Sequence, residues 1–583
     1  MRKKDSSQKD TTKKQDSTFK NFLQTLKPYT LYLVIILALT AALNSYNLEI
    51  PKVISRAIDA YARGTYNQNT TLNEFIVIVA AVLILSILQV VIGSYTAERV
   101  AKDLRLKLSR KIAGGSFRFV QDQTSSKLLT NITSDVDGVK TFVSQAAPTL
   151  FSSIYLAIGA AWNMFQLNGS LALFTIAFIP VIIFAFTYIF GKIQKLFTKG
   201  QENIDALNKK ISETIEGSAL IRVLNSQKYE TARFDVLNIV TRDIGKGILT
   251  GFATIFPLIG VLFNAMIIGI IWFGGNQVIT GDLSIGNFGA FYSYVAILIM
   301  PIITLGFIST LISRSFSTFV RVSSVLSSKD EGPQGTIVKD IKGDIEFKKV
   351  HLKIGEKEIL KDINLKIKAG TRNAIVGPTA SGKTQLLYII AGLVEPTDGE
   401  VLVDGENIEK IEPKSLYGQM GIVFQDSIIF NTTLEENIAF NSEVDKESTD
   451  KAINTAELDE FISKQPEGLK TQVSERGTSL SGGQKQRLTL ARALTLNPKI
   501  LLLDDFTARV DQRTEKSISD NLVKNYPDTT VISITQKVNS ITDYDQIFLI
   551  MEGELLASGT HQELLKNSFE YKQIFESQKS TDR

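Results

Sequence analysis

The sequence predicts a membrane all-α domain of six helices with long cytoplasmic extensions, fused to an α/β domain built around a phosphate-binding loop. Two observations predict it. Up to about residue 320 the chain carries long apolar runs, and beyond that it reads as a mixed α/β domain. Within the second part, Ile375-Val376 runs into Gly377-Pro378-Thr379-Ala380-Ser381-Gly382-Lys383-Thr384, a strand end followed by G-x-x-x-x-G-K-T.

At 583 residues the chain exceeds one domain. Its formal charge of +4 is near balance and argues against a nucleic-acid binder. It has no cysteine, which excludes disulfides, thiolate metal sites and cysteine nucleophiles. Its two histidines are His351 and His561.

Residues 1–20 are rich in Lys, Ser, Gln and Asp without an apolar face, and read as a disordered cytoplasmic tail rather than a signal peptide. The membrane domain is expected over 21–325. Its six spans fall at about Tyr29–Ile50, Glu74–Ser94, Pro148–Gln166, Leu171–Gly191, Ile248–Phe273 and Phe288–Leu311. Each is close to the roughly 20 residues that cross a bilayer, and their interiors are almost free of charge. Lys and Arg concentrate in the tail, in Arg99–Lys140 and in Lys192–Lys246, so these segments and both termini are expected in the cytoplasm. Helical periodicity in Ala101–Leu108 and Ile204–Ile221 carries the helices beyond the bilayer, with turns expected near Phe119–Ser126 and Glu213–Ala219. A linker is expected over 326–341 and the α/β domain over 342–583, opened by the strand signal Gly343–Phe347.

The loop chemistry follows from its residues. Gly377 and Gly382 let the backbone turn its N–H groups inward. The helix expected from Lys383 to about Leu393 points its positive end at phosphates. Lys383 adds a charge near the β- and γ-phosphates, and the Thr384 hydroxyl is placed for Mg²⁺.

Further motifs follow: Val423-Phe424-Gln425-Asp426; Ser474-Glu475-Arg476-Gly477; Leu480-Ser481-Gly482-Gly483-Gln484; Ile500–Leu503 ending in Asp504-Asp505; and Val531–Ile534 ending at Thr535-Gln536. With these the chain resembles the ABC transporter family, as an exporter-type half-transporter, from about residue 20 onward. The resemblance implies that Gly377–Thr384 holds ATP and Mg²⁺. Gln425 would be the Q-loop residue touching Mg²⁺, and Asp504 the Walker B acid. Leu480–Gln484 would be the signature, reaching the phosphate bound on a partner subunit, with Ala508-Arg509-Val510-Asp511 as the D-loop. Ser474–Gly477 would meet the turns of the membrane domain. Leu480 and Phe506 read equally well as packing.

Three positions depart from the family pattern. Asp505 stands where the catalytic Glu is usual, one methylene shorter. Gln536 stands where the switch His is usual, and neither His351 nor His561 falls in that motif order. Ile354 stands where an aromatic would stack on adenine. Drift accounts for any one of them. Together with the intact signature they resemble the degenerate-site subunit of a bacterial heterodimeric multidrug exporter, in the plasma membrane. Its partner would be a second half-transporter carrying the Glu and the His; a homodimer with two slow sites is the alternative. Substrates would be hydrophobic or amphipathic small molecules moved by ATP-driven alternating access. A lipid or peptide exporter, or a channel with the same motor, stays open. Gln89, Trp162, Phe256, Phe263, Asn264, Tyr292 and Tyr294 are candidate cavity residues, and Glu49 is a candidate site for cations.

Overall fold

The computed structural model describes residue 22 and residues 24–328, 332, 335–440 and 444–581. The expected tail 1–20 lies outside them, as do parts of the expected linker. The chain divides into two compact units. One holds residues up to 113 and 126–328; the other holds 114–125 and 329–583.

The first unit is all helical. Its helices are α1 (Thr30–Ala62), α2 (Gln68–Ala113), α4 (Ser125–Leu167), α5 (Gly169–Glu216), α6 (Ser218–Val223), α7 (Gln227–Thr280) and α8 (Ile285–Leu326). The seven-residue α3 (Phe117–Gln123) belongs to the second unit. All but α3 and α6 are long and apolar enough to cross a membrane.

Polar punctuation sets their ends. Asn168 caps α5 by accepting from Leu171 N at 3.0 Å, and Ser284 caps α8 by accepting from Asn287 N at 3.0 Å. Gly281, at φ +83°, ends α7 in the left-handed region. The second of the two expected turns extends further than the periodicity predicts. Helix α5 breaks at Gly217, and α6 carries the turn on to Asn225, whose φ is +52°.

Most of the apolar surface of these helices faces outward, as a lipid-facing bundle requires. Packing between helices rests on small residues and polar pairs. Asn44 donates to Ser152 Oγ at 2.8 Å, and Ser153 shares a bond with Thr304 at 3.0 Å. In the extension of α4, buried Asp135 accepts from Asn131 (2.8 Å) and from Arg321 Nε on α8 (2.9 Å).

The second unit holds two sheets. The strands are β1 (Ile345–Ile354), β2 (Lys357–Ile367), β3 (Arg372–Val376), β4 (Asp398–Val403), β5 (Glu406–Asn407), β6 (Met420–Val423), β7 (Ile500–Asp504), β8 (Thr530–Thr535), β9 (Gln546–Met551) and β10 (Glu554–Gly559). An antiparallel sheet runs β2-β1-β4-β5. A six-stranded sheet runs β10-β9-β3-β8-β7-β6, with all its neighbours parallel except β10 on β9.

Helix α9 (Lys383–Ile390) follows β3, and its Leu386, Leu387, Ile389 and Ile390 are fully buried in one core with residues of both sheets. It stops three residues short of the expected end, because Gly392 turns the chain at φ +65°. Packing into this unit starts ahead of the expected strand: Ile337 bridges to Ile411, and Ile341 is buried.

A second core gathers α10 (Leu434–Ile438), α11 (Lys446–Thr455), α12 (Gly482–Leu494) and α13 (Gln512–Asn525) beside β7. Two further helices, α14 (His561–Asn567) and α15 (Phe569–Thr581), cover β9 and the end of β3.

At Gly286 helix α8 packs directly against the backbone of α1. A Cβ there would lie 2.1 Å from Ser55 O and 2.6 Å from Asp59 Cγ. Gly286→Ala is therefore expected to lower the thermal midpoint of the detergent-solubilised protein, by about 1–3 kcal/mol of overpacking strain. Gly275→Ala, which meets nothing within 4 Å, is the control and is expected to leave it unchanged.

Candidate nucleotide site

Parallel pairing brings the sequence motifs to one edge. Val376 pairs with Thr535, Asp504 with Ile534, and Val423 with Leu503. The carboxyl ends of β3, β8, β7 and β6 therefore lie side by side, and each leads into a motif: Gly377, Gln536, Asp505 and Gln425. In parallel sheets ligands bind at this end of the strands.

The loop after β3 turns on residues that tolerate positive φ. Gly377 lies at +154° and Gly382 at +99°. A Cβ on Gly377 would sit 1.9 Å from Ile550 O, and one on Gly382 2.8 Å from Leu360 Cδ2. Ala380 also lies in the left-handed region, at φ +65°. Lys383 is buried, and its ammonium donates to Gly377 O (2.8 Å), Pro378 O (2.7 Å) and Ser381 Oγ (3.4 Å). Burial holds Lys383 below its ordinary value, while the Asp505 and Asp504 carboxylates oppose the shift.

Thr384 donates to Asp504 Oδ1 at 3.3 Å. Asp504 is 1% exposed, and its second carboxylate oxygen is buried with no hydrogen-bond partner. Burial pushes this carboxyl up; the Thr384 bond opposes and the Asp505 charge adds. An orphaned carboxylate oxygen beside a hydroxyl, on the rim of a loop that points N–H groups inward, fits a hard cation on a phosphate chain. Thr384 and Asp504 are the residues that could hold Mg²⁺, and Gly377–Thr384 those that could hold the phosphates. Gln425, expected among the metal ligands, is exposed directly after β6.

Asp505 adopts φ +47°, ψ +37°, and its N–H donates to Ile534 O at 2.9 Å. Asp is among the few side chains enriched in this conformation. Gln536 is exposed at the end of β8, where its Oε1 accepts from Thr379 Oγ1 at 3.5 Å. Ile354 is half exposed at the tip of the β1–β2 hairpin. The two histidines are engaged elsewhere: His351 faces Glu358 at 3.3 Å, and His561 Nδ1 meets the Tyr571 hydroxyl at 2.8 Å.

The segment Leu480–Gln484 starts α12 with a capping box. Ser481 Oγ accepts from Gln484 N (3.3 Å), and Gln484 Oε1 accepts from Ser481 N (2.8 Å). Gln484, expected to reach a phosphate, thus spends its carbonyl oxygen on its own helix. Gly482 and Gly483 admit the chain at Arg509: a Cβ on either would lie 2.8 Å from Arg509 atoms. Leu480 packs against the second core. The side chain of Arg476 lies outside the described residues, while Ser474 Oγ caps its own turn at Thr478 and Ser479.

Two contacts were not legible in the motifs. Arg492 donates to Asn437 O (2.6 Å) and Ile428 O (2.8 Å) and lies over the Phe430 and Phe440 rings, which ties α12 to the stretch after Gln425. Burial lowers its pKa to about 10. On α3, Phe117 meets Tyr388 of α9 edge-on with centroids 5.2 Å apart, and Tyr388 lies 6.1 Å from Phe424.

The candidate cavity residues of the membrane unit do not form one set. Tyr294 is fully buried and its hydroxyl donates to Leu48 O at 2.8 Å, which is packing. Asn264 bonds its own helix at Gly260 O, whereas Trp162, Phe256 and Tyr292 are exposed. Glu49 is paired with Lys52 at 2.6 Å, so its charge is already met.

Residues 33–302 match the family model of the ABC transporter transmembrane region, and residues 360–508 match that of the ABC transporter. An ATP-dependent lipid A-core flippase of Desulfotalea psychrophila is 31% identical over 82% of this chain and 85% of its own length. This chain belongs to the ABC transporter family. It is an exporter-type half-transporter, a multi-pass membrane protein whose family couples ATP, with Mg²⁺, to export. A putative multidrug export ATP-binding/permease protein of Bacillus subtilis, YgaD, is 28% identical over 95% of this chain and 98% of its own. A solved bacterial Atm1-family ABC exporter with ATP bound shares the fold of the half-transporter, with TM-score 0.77 over 95% of this chain and 98% of that one, at 23% identity.

Burial disfavours the charged form of Asp504 in the folded half-transporter. An acid with a raised folded pKa loses stability as the pH rises through that value. Asp504→Asn is expected to raise the nucleotide-free thermal midpoint at pH 7 by about 1 kcal/mol, or 2–4 °C. The gain is expected to shrink toward the ordinary carboxylate range, while Mg·ATP affinity falls at least about tenfold. Calorimetric melts at several pH values and an ATP titration check both.

Proposed function

We propose that this half-transporter is the degenerate-site subunit of a heterodimeric exporter in the bacterial plasma membrane. Its nucleotide domain and both termini would face the cytoplasm, as the Lys- and Arg-rich loops require. One observation carries the reading: what binds phosphate is intact and what promotes hydrolysis is altered. Lys383, Thr384 and Asp504 meet at the ends of β3 and β7, while the next positions on β7 and β8 are Asp505 and Gln536.

In this role Gly377–Thr384 binds the phosphates of ATP, and Thr384 and Asp504 hold Mg²⁺, with Gln425 at the edge of the site. When bound, the cation neutralises charge on the phosphates. Ile354 contacts the adenine without stacking. Gln536 donates a neutral hydrogen bond where an imidazolium would supply charge. Asp505 is the general base for water, set back by one methylene. Such a displacement costs about a hundredfold in rate. Nucleotide therefore stays bound at this site and contributes to closing the dimer.

Ser481, Gly482 and Gly483 complete the site of the partner, a half-transporter with Glu and His at the matching positions. Fast hydrolysis there resets the pump. The apolar residues Leu220, Val223 and Leu224 on and after α6 are exposed in the single chain, which suits a surface that a second subunit covers.

The substrates we infer are hydrophobic or amphipathic compounds. Two relatives support this: one is named a lipid A-core flippase, whose lipid is amphipathic, and the other a putative multidrug export protein. A lipid substrate is the second reading, and the flippase favours it. Dye and labelled-lipid transport into inverted vesicles, with and without the partner, separates the two.

Two outcomes test the catalytic assignment. The chain purified alone is expected to turn over ATP slowly, and co-purification with its partner to raise the rate at least about tenfold; robust ATPase activity from the lone chain overturns the heterodimer. Asp505→Glu combined with Gln536→His is expected to raise turnover at this site by about 10–100-fold in the assembled transporter whose partner site is disabled. No gain would mean that other residues limit the chemistry.

A further inference from the structure

We propose that Gln578, on the last helix, is a positioning residue that sets Gln536 against the phosphate loop. The idea rests on the role given to Gln536 above. Helix α15 is seated by Tyr571, which is fully buried, and by Ile574 and Phe575. These pack with Val538, Ile541 and Val376, the residue just before Gly377. From that anchored helix the Gln578 carboxamide reaches back to the loop after β8. Its Nε2 donates to Gln536 O at 2.6 Å, and its Oε1 accepts from Val538 N at 2.8 Å.

The two backbone groups lie on either side of Lys537, whose own N–H donates to Thr535 Oγ1 at 3.0 Å. One planar amide thus closes both open backbone groups of a loop that leaves the sheet. A carboxamide carries a donor and an acceptor on one planar group; a carboxylate of the same shape has no donor.

The loop needs the support. Gln536 and Lys537 are exposed, and the cleft beside them is open, lined by Gln512, Lys516, Asn539 and Gln578. Upstream, Thr535 is fixed by pairing with Val376. Downstream, the backbone of Gln536 is fixed by Gln578. Between these two restraints the Gln536 side chain reaches Thr379 at 3.5 Å. A neutral amide has no long-range attraction to a phosphate, so its contribution depends on geometry far more than a charged group's would.

The experiment uses the full transporter, with the partner when co-purified. Photo-crosslinkable azido-ATP retained on this chain is followed against time, the two subunits being resolved on a gel. Gln578→Ala and the isosteric Gln578→Glu are each expected to speed nucleotide loss about fivefold, as for one hydrogen bond, with the thermal midpoint unchanged. Gln573→Ala, exposed on the same helix, is expected to do nothing. Gln536→Ala is expected to match Gln578→Ala, and the double variant to release no faster than Gln536→Ala alone, because one residue acts through the other. Additive effects, or effects that follow the melting point in every variant, overturn the proposal. So does unchanged retention in Gln578→Glu together with Gln578→Ala. If Gln536→Ala itself leaves retention unchanged, the role of Gln536 fails first, and the brace with it. If Gln536→Ala speeds release while both Gln578 variants do not, only the brace fails.

Discussion

A carboxylate with one orphaned oxygen lies at the centre of the C-terminal unit. Asp504 is delivered there by β7, every residue of which is buried. An unpaired buried oxygen costs roughly 1–3 kcal/mol, and the surrounding fold has to hold it in place. Parallel pairing of β7 with β8 and β6, and of β8 with β3, fixes the carboxylate relative to Thr384 and to the loop that starts at Gly377. The same loop runs so close to Ile550 and to the β2 strand that Gly377 and Gly382 admit no side chain. Thr384 and Asp504 are the residues that would hold a divalent cation, and its charge would offset the deficit left at the orphaned oxygen.

The altered positions occur next to this centre rather than within it. Asp505 sits in a left-handed conformation tied to Ile534, and Gln536 follows the strand that carries Ile534. A shorter acid suits that backbone well, since Asp tolerates αL better than most residues. Local strain is thereby kept low at this position.

Signals confined to a few adjacent residues were legible. The strand–loop–helix at Gly377–Thr384 and the apolar strands ending at Asp504 and Thr535 are of this kind, as are the six long apolar runs. Each depends on local backbone rules or on bilayer thickness. Contacts between distant segments were not legible: Tyr294 disappears into packing against α1. Residues 114–125 join the C-terminal unit, and the turn expected near Glu213–Ala219 shifts because Gly217 interrupts a periodic helix. Periodicity reports which face is apolar but not which neighbour covers it. Gln578 is the extreme case, since nothing in its surroundings in sequence marks it.

A nucleotide site passes on its state through the elements that touch it. Helix α9 is well placed for that. Its N-terminal residues Lys383 and Thr384 face the phosphate loop, and one turn on Tyr388 meets Phe117 edge-on. Such an aromatic contact is worth about 0.5–1.5 kcal/mol. Coupling between sites in proteins typically amounts to about 1–3 kcal/mol. Helix α9, eight residues long, therefore links the phosphate loop directly to the segment 114–125. Lys383, Thr384 and Tyr388 share that one short helix, whereas Asp505 and Gln536 follow the ends of other strands, so a change at either leaves the link in place.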